Sequence, residues 1–345
     1  MLVSVVVLNY NYAQFLAASV GSALAQVEAD VEVVVVDDGS TDSSRDVIET
    51  FSGVRVILKD NGGQASAMNA GFAESRGDAV IFLDADDLLL PTAARDVTAE
   101  FAAHPDAAWV MYRLRLLDAQ GHESQNVRPR RPGVMPDGDL RSHVARYRCF
   151  HWQPTSGNAF ARHALAQVMP IPEADYRISA DAYLATVVPL VGSIRSLDAV
   201  LGGYRVHGKS NFTAGAVDAR YFHDQVNRQI VNHGHARRVA SSAGVAFPAD
   251  VKTPRDAAFL GFRMSAVLHD ARHPAMDGDR RLGLAARGVH AALTNPQLPW
   301  PNRLRRATWF VVGALPVERA RRWAIAHAPD TPARRAELAA QPRAS

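Results

Sequence analysis

The chain has 345 residues, 48% hydrophobic and 21% charged, with a formal net charge of +3. That is ordinary globular composition, long enough for one large domain or two moderate ones, and too weakly basic to argue for a nucleic-acid partner. A single cysteine, Cys149, excludes a disulfide framework, fits a reducing compartment and reads as a packed thiol rather than a nucleophile.

The apolar start, Met1 to Leu8, has no basic region before it and runs straight into Asn9-Tyr10-Asn11-Tyr12, unlike a secretory signal. No stretch approaches the ~18–20 apolar residues that a membrane-spanning helix needs. A cytoplasmic location is expected, with peripheral association at the inner face of the membrane left open.

Val3 to Leu8 is a continuous apolar run of strand length. Phe15 to Ala25 spaces its apolar residues as a helix does, and Val31 to Val36, five valines and a glutamate, reads as a second strand. Ser43 to Phe51 follows as a helix with Thr41 or Asp42 as its cap, then a strand at Val54 to Leu58 and a helix at Gln64 to Ser75. Ala79 to Leu83 is a fourth strand, Pro91 opens a fourth helix, and Ala107 to Tyr112 is a fifth strand. Strands apolar on both faces that alternate with helices imply a mostly parallel sheet covered on both sides.

The stretch "SQNVRPRRPGVMPDGD", Ser124 to Asp139, reads as an irregular loop. Phe150 to His207 is mixed, with a helix near Ala180 to Leu190 and a strand near Gly202 to Val206. Beyond Asn211 the chain becomes mostly helical and arginine-rich. Three regions are expected: 1–115, 116–212 and 213–345.

Ligands of such sheets bind beyond the carboxyl ends of the strands. Four polar clusters fall there: Asn9-Tyr10-Asn11, Asp37-Asp38-Gly39-Ser40, Asn61-Gly62-Gly63-Gln64 and Asp84-Ala85-Asp86-Asp87. Carboxylates at the tip of a strand that is otherwise buried need a positive partner. Asp84 and Asp86 fit a hard divalent cation shared with phosphates, against the plainer reading of a solvated turn or helix cap. Asp37 and Asp38 fit a ribose hydroxyl or a base N–H, against an Asx turn. The segment Asn61 to Gln64 fits a phosphate or sugar before a helix N-terminus, against a simple turn. No G-x-G-x-x-G follows the first strand, so there is no dinucleotide signature.

In order and spacing, "SVVVLNYN", "VVVVDDGSTD", "NGGQASAMNAG" and "IFLDADD" resemble the family 2 glycosyltransferases of bacterial surface-polysaccharide type. "TSGNAFAR", "ISADAYLA" and "YRVHGKS" extend the resemblance through about residue 210. It implies a GT-A fold, Rossmann-like, with a mainly helical region after it. The donor is then a nucleotide-diphospho-sugar carrying UDP, dTDP or GDP, and the acceptor a glycan or a lipid-linked glycan. Leu8, Asn9, Tyr10, Asp37 and Asp38 are the implied nucleotide contacts, and Asn61, Gly63, Gln64 and Asn69 lie along the donor. Asp84, Ala85 and Asp86 match the D-x-D motif, with Asp86 and His207 the implied ligands of Mn²⁺ or Mg²⁺. Asp181 matches the general base, although Ala180 stands where the family often has Glu or Ser. Ser156, Gly157, Asn158 and Trp152 are expected near the acceptor, and Arg205, Lys209 and Ser210 near the diphosphate.

The tract Asn302 to Ala328 mixes arginines with an apolar centre, Trp309 to Leu315. A helix lying on anionic lipid and a helical pair packed on the protein both fit it. Processive members of the family carry Q-x-x-R-W and membrane spans. Here Arg319 stands at the glutamine position of "RARRW", so transfer of one or a few sugars is expected. Two other classes fit the tips less well. A nucleotidyltransferase needs an early basic phosphate-gripping loop, and no Lys or Arg precedes Arg45; a non-catalytic sugar-nucleotide or glycan-binding module would not need Asp86 and Asp181.

Overall fold

The computed structural model describes residues 1–130, 135–148, 153–207, 217–252, 255–296 and 298–329. The chain divides into two compact units, one of residues 1–141, 151–207 and 238–245, the other of residues 142–150, 208–237 and 246–345.

The first unit begins with β1 (Leu2–Asn9), α1 (Ala13–Leu24), β2 (Asp30–Asp37), α2 (Ser44–Glu49), β3 (Val54–Leu58), α3 (Gln64–Glu74) and β4 (Ala79–Asp84). It continues through β5 (Leu88–Leu89), α4 (Ala93–Ala103), β6 (Ala107–Leu117) and β7 (Glu123–Arg128). After the short α5 (Arg141–Tyr147), which from residue 142 belongs to the second unit, come β8 (Asn158–Ala161), α6 (Arg162–Val168), α7 (Ala180–Val187) and β9 (Ser193–Arg205).

These strands form one mixed sheet in the order β3-β2-β1-β4-β8-β6-β9-β5, with β7 paired to β6. β3, β2, β1 and β4 are mutually parallel. Val5, Val6, Val7, Val34, Val36, Ile81 and Phe82 are buried on both faces of this half, as their unbroken apolar runs dictate. β3 lies at the edge, and its Val56 and Leu58 stay exposed. β8 then runs antiparallel to both β4 and β6, and β9 is parallel to β6.

Three elements differ from the sequence reading. Part of the expected loop Ser124 to Asp139 is β7, because the free stretch Leu114–Leu117 of β6 supplies a ladder that captures a polar segment with no strand pattern of its own. β9 starts at Ser193 rather than near Gly202, since parallel pairing with β6 draws in the polar "SIRSLD". α4 starts at Ala93, and Pro91 lies in the turn ahead of it. The two regions expected on either side of residue 115 share this sheet, with β6 crossing that position.

The second unit is helical, as expected. It contains most of α8 (Ala219–Ser242), then α9 (Ala257–His269), α10 (Arg281–Thr294), α11 (Trp300–Ala314) and α12 (Glu318–Ala326). Phe222, Phe259, Phe262, Met264, Leu268, Trp309 and Phe310 form its core. The Asp256 carboxylate caps α9 by accepting from the N–H groups of Ala258 and Phe259, and buried Arg263 pairs with buried Asp279. Trp309 and Phe310, for which a lipid surface and a packed helical pair both fitted, are 2% and 0% exposed, and the Trp309 indole donates to Ala324 O at 2.8 Å. They belong to the helical core. Among the described residues no helix is long and apolar enough to cross a membrane.

One carboxylate ties three segments of the sheet together at its amino-terminal edge. Glu32 on β2 accepts from Ser4 Oγ on β1 at 2.6 Å, from Gly77 N at 3.1 Å and from Arg76 N just before β4. Partial burial pushes its pKa up, but the Ser4 hydroxyl, these two N–H groups and the Arg55 guanidinium outweigh burial and hold it below the usual value. A depressed folded-state pKa adds stability above the ordinary carboxylate pKa, and that stability is lost as pH falls through the folded value. Glu32→Gln is therefore expected to lower stability by about 1 kcal/mol at neutral pH, with the gap to wild type closing in acid. Urea unfolding at a series of pH values measures this; a gap that stays constant into acid contradicts it.

Candidate active site

The parallel register decides which tips meet. Asn9 pairs across with Asp37, and Leu8 with Asp84. The polar tips of β1, β2 and β4 thus stand side by side.

At the first cluster, the Asn9 amide donates to Asp37 at 2.8 Å and to Ser40 Oγ at 3.1 Å. Asp37, fully buried, also accepts from Ser40 N at 3.2 Å and lies 3.5 Å from Arg45 Nε. Asn11, at φ +59°, accepts from Thr41 N and so ties the loop after β1 to the loop after β2. Asp38 holds the following loop: it accepts from Lys59 Nζ at 2.7 Å, Gly62 N at 3.0 Å and Gly63 N at 2.7 Å. Both carboxylates, expected to face the nucleotide, are here bonded to protein N–H groups. Tyr10 is half exposed, while Leu8 is buried and its carbonyl accepts from Ala85 N.

Gly63 and Gln64 join this cluster to a distant segment. Gly63 has φ +87°, and a Cβ there would lie 2.4 Å from Arg177 O. Only glycine fits both the conformation and the approach. Gln64 N then donates to Arg177 O at 2.8 Å. The Gln64 side chain accepts from Ala180 N at 2.9 Å and donates to Thr155 Oγ1 at 3.2 Å. Ala180 opens α7 behind Ser179, a non-glycine residue at φ +65°. Asp181 sits in the first turn of α7, close enough to Asp84 for its charge to act there.

At the second cluster the return of β9 matters most. β5 pairs antiparallel with β9, Leu88 against Gly203 and Leu89 against Gly202. A Cβ on Gly202 would lie 2.8 Å from Leu88 O, so the strands approach this closely only with glycine. The pairing sets Arg205 N 2.9 Å from Asp87 and brings His207 Nε2 2.9 Å from Asp86 Oδ2. The His207 ring packs against Phe15 and lies edge-on to Tyr12, with centroids 5.1 and 5.6 Å away. Burial, then the charges of Asp86 and Asp181, push Asp84 up to about 8, against hydrogen bonds from Thr155 and Gln64. Burial, then Asp86 and Asp84, push Asp87 far above the usual range, and the same causes carry Tyr12 to about 12.

This edge therefore concentrates negative charge. The nearest buried cation, Arg205, does not pair with the carboxylate groups. Its guanidinium donates to the main-chain carbonyls of Asp86, Asp118 and Ala119 and stacks 4.7 Å over Phe15. Expected at the diphosphate, it is instead turned into the protein, where it fixes the backbone of the acidic turn.

Several other expected contacts are likewise structural. Asn69 donates to Ile171 O and accepts from Ile171 N, at 2.9 and 2.8 Å, clamping that strand-like segment. Ser156, Gly157 and Asn158, expected near the acceptor, are buried. Ser156 Oγ accepts from Asp84 N at 3.1 Å, and Asn158 accepts from Trp109 Nε1 while its amide binds carbonyls of residues 153–155. Ser156 reaches the acidic tip from the turn just before β8, and a Cβ on Gly157 would lie 2.7 Å from Gln153 Cβ. Trp152, Lys209 and Ser210 lie outside the described residues. Sequence reasoning missed Tyr12, Asp87, Thr155 and Arg177. Asp87 stood in a polar tip already singled out, Tyr12 next to one and Thr155 at the start of "TSGNAFAR", whereas Arg177 carries no local signal.

The model for the family described as Glycosyl transferase family 2 matches residues 4–157. The uncharacterized glycosyltransferase alr2836 of Nostoc sp. (strain PCC 7120) is 36% identical over 222 residues, which cover 63% of this chain and 68% of that protein.

The chain belongs to glycosyltransferase family 2.

It is accordingly a transferase enzyme. The O-antigen biosynthesis protein RfbC of Myxococcus xanthus is 41% identical over 116 residues, 32% of this chain but 9% of that protein. The crystal structure of S. aureus TarS 1-349 in complex with UDP-GlcNAc aligns with a TM-score of 0.51 at 14% identity, covering 99% of this chain and 93% of that one. That likeness shows the fold, GT-A, in agreement with the sheet order above.

Within this glycosyltransferase the Asp38 carboxylate is the main restraint on the loop Lys59 to Gly63. Asp38→Asn replaces an ionised acceptor by an amide that faces two N–H groups and an ammonium. A loss of about 2 kcal/mol is expected, with faster hydrogen exchange at Gly62 and Gly63 than elsewhere on α3. Exchange rates unchanged at those two amides contradict the assignment.

Proposed function

We propose that this glycosyltransferase moves a sugar from a nucleotide-diphospho-sugar to a glycan or lipid-linked acceptor, with inversion and without processivity, in surface polysaccharide assembly at the cytoplasmic face of a membrane. The observation that carries the reading is the approach of His207 Nε2 to Asp86 Oδ2, 2.9 Å apart and 121 residues apart in sequence, at an edge already crowded with carboxylates. A carboxylate and an imidazole in contact suit a divalent cation such as Mn²⁺ or Mg²⁺. Among the described residues no group of three or more acidic, histidine or cysteine side chains forms a self-contained metal cage. That fits a cation that takes its remaining oxygen ligands from substrate phosphates. When bound, it would offset the negative charge of the departing nucleoside diphosphate.

The protein's own groups take the remaining roles. The tips at Asn9, Asp37, Asp38 and Asn61 face the nucleotide, and UDP, dTDP and GDP donors are all compatible with them. The UDP-GlcNAc complex of S. aureus TarS favours UDP among these, and the O-antigen role in the name of the Myxococcus relative favours a surface glycan product. Asp181, at the first turn of α7, acts as general base on the acceptor hydroxyl. Gln64 fixes where that turn starts, through Ala180 N.

Three variants separate these roles. Asp86→Ala is expected to abolish the Mn²⁺-dependent rise in melting temperature given by a nucleotide-sugar while leaving the unliganded fold intact; an unchanged rise removes Asp86 as a ligand. Asp181→Asn is expected to keep donor affinity and lower transfer by at least about 10²-fold, so wild-type turnover would remove the general base. Gln64→Leu is expected to keep donor affinity within about threefold and lower kcat by about tenfold or more, because a displaced base loses alignment. Weaker donor binding with normal kcat would make Gln64 a donor contact instead.

A further inference from the structure

Helix α11 has two apolar faces, and only one is covered. Ala307, Trp309, Phe310 and Gly313 are buried. Trp300, Leu304, Val311 and Leu315, spaced by four, seven and four residues, fall on one stripe that ends at the residue closing the helix. They are 59%, 47%, 52% and 45% exposed, and Val317, just past Pro316, is 52% exposed. Fifteen residues of helix carry this stripe over about 22 Å. Large apolar side chains left in solvent along one continuous line mark a contact surface.

The charge around the stripe indicates what covers it. Between Trp300 and Pro329 there are six arginines and one acid, Glu318. Two of the arginines hold the helices in place: Arg303 donates to the carbonyls of Leu293, Pro296 and Leu298, and Arg321 donates to Leu268 O. Arg305, Arg319 and Arg322 are exposed. A protein partner is met by interleaved charges of both signs, whereas arginine in excess in the same stretch of chain as an apolar line with a tryptophan at its start matches a uniformly negative apolar interface.

We infer that α11 docks on an anionic lipid surface, lying in the plane of the interface with Trp300, Leu304, Val311 and Leu315 inserted and the exposed arginines at the headgroups. This is a different face from the Trp309–Phe310 pair, which lies in the helical core. It does not depend on the proposed reaction, because its readout uses no substrate.

The test is co-sedimentation of the full chain with vesicles of phosphatidylcholine alone and of phosphatidylcholine mixed with phosphatidylglycerol. Binding is expected to the mixed vesicles and to fall with added salt. Leu304→Glu with Val311→Glu, both exposed in the protein, is expected to lower partitioning at least about tenfold while the melting temperature holds. Arg319→Ala and Arg322→Ala, with the apolar stripe intact, are expected to lower it by about fivefold each. Failure of wild type to prefer the anionic vesicles overturns the inference, as does equal partitioning by the folded glutamate variant. If the glutamate variant does not fold, partitioning unaffected by the two arginine changes has the same meaning. Light scattering that finds a wild-type dimer, converted to monomer by the glutamate changes, assigns the stripe to a second copy of the chain and also overturns it.

Discussion

Carboxylates gathered at one sheet edge repel one another, and the first unit is arranged around that repulsion. Asp84, Asp86 and Asp87 lie within four residues, with Asp181 near enough to raise Asp84 further. Such a group persists only where surrounding donors hold it. Ser156 supports the main chain of Asp84, Arg205 supports the main chain of Asp86 and the side chain of Asp87, and His207 meets the Asp86 carboxylate. These supports come from the segments at β8 and β9, far along the chain, so the acidic turn is held by residues brought to it by the rest of the sheet.

The same logic separates contacts that shape the site from groups left to act. Asp37, Asp38, Asn69, Asn158 and Arg205 all hold protein N–H or C=O groups. A buried polar side chain with such partners is costly to remove because its partners are then stranded. Gln64 belongs to both classes: its main chain meets Arg177 and its side chain reaches the start of α7. Through it, the loop that follows β3 and the helix that carries Asp181 move as one piece.

The parallel half was legible because β1, β2 and β4 are apolar runs buried on both faces, and because each of its strands is followed by a polar cluster. The antiparallel half was less so. β7 and the early part of β9 are polar, and they are strands only because β6 offers them a ladder. The protein partners of Asn69 and of Ser156 to Asn158 were hidden for the same reason: a local motif records that a polar residue is needed but not whether the protein's own backbone also binds it. On α11 the sequence showed arginines mixed with an apolar centre, and could not tell which apolar residues the helical core would take.

The sequence by itself determined the strands β1 to β4, the polar character of their tips, the family, and the helical nature of the last third. Those properties reside in short-range patterns: side-chain period, turn residues and motif spacing. Only the tertiary structure decided that His207 faces Asp86, that Arg205 turns inward, that Gln64 reaches α7, and that Trp300 rather than Trp309 remains in solvent. Each of these depends on which distant segment arrives at a given edge, and that is set by pairing register and packing rather than by the residues on either side.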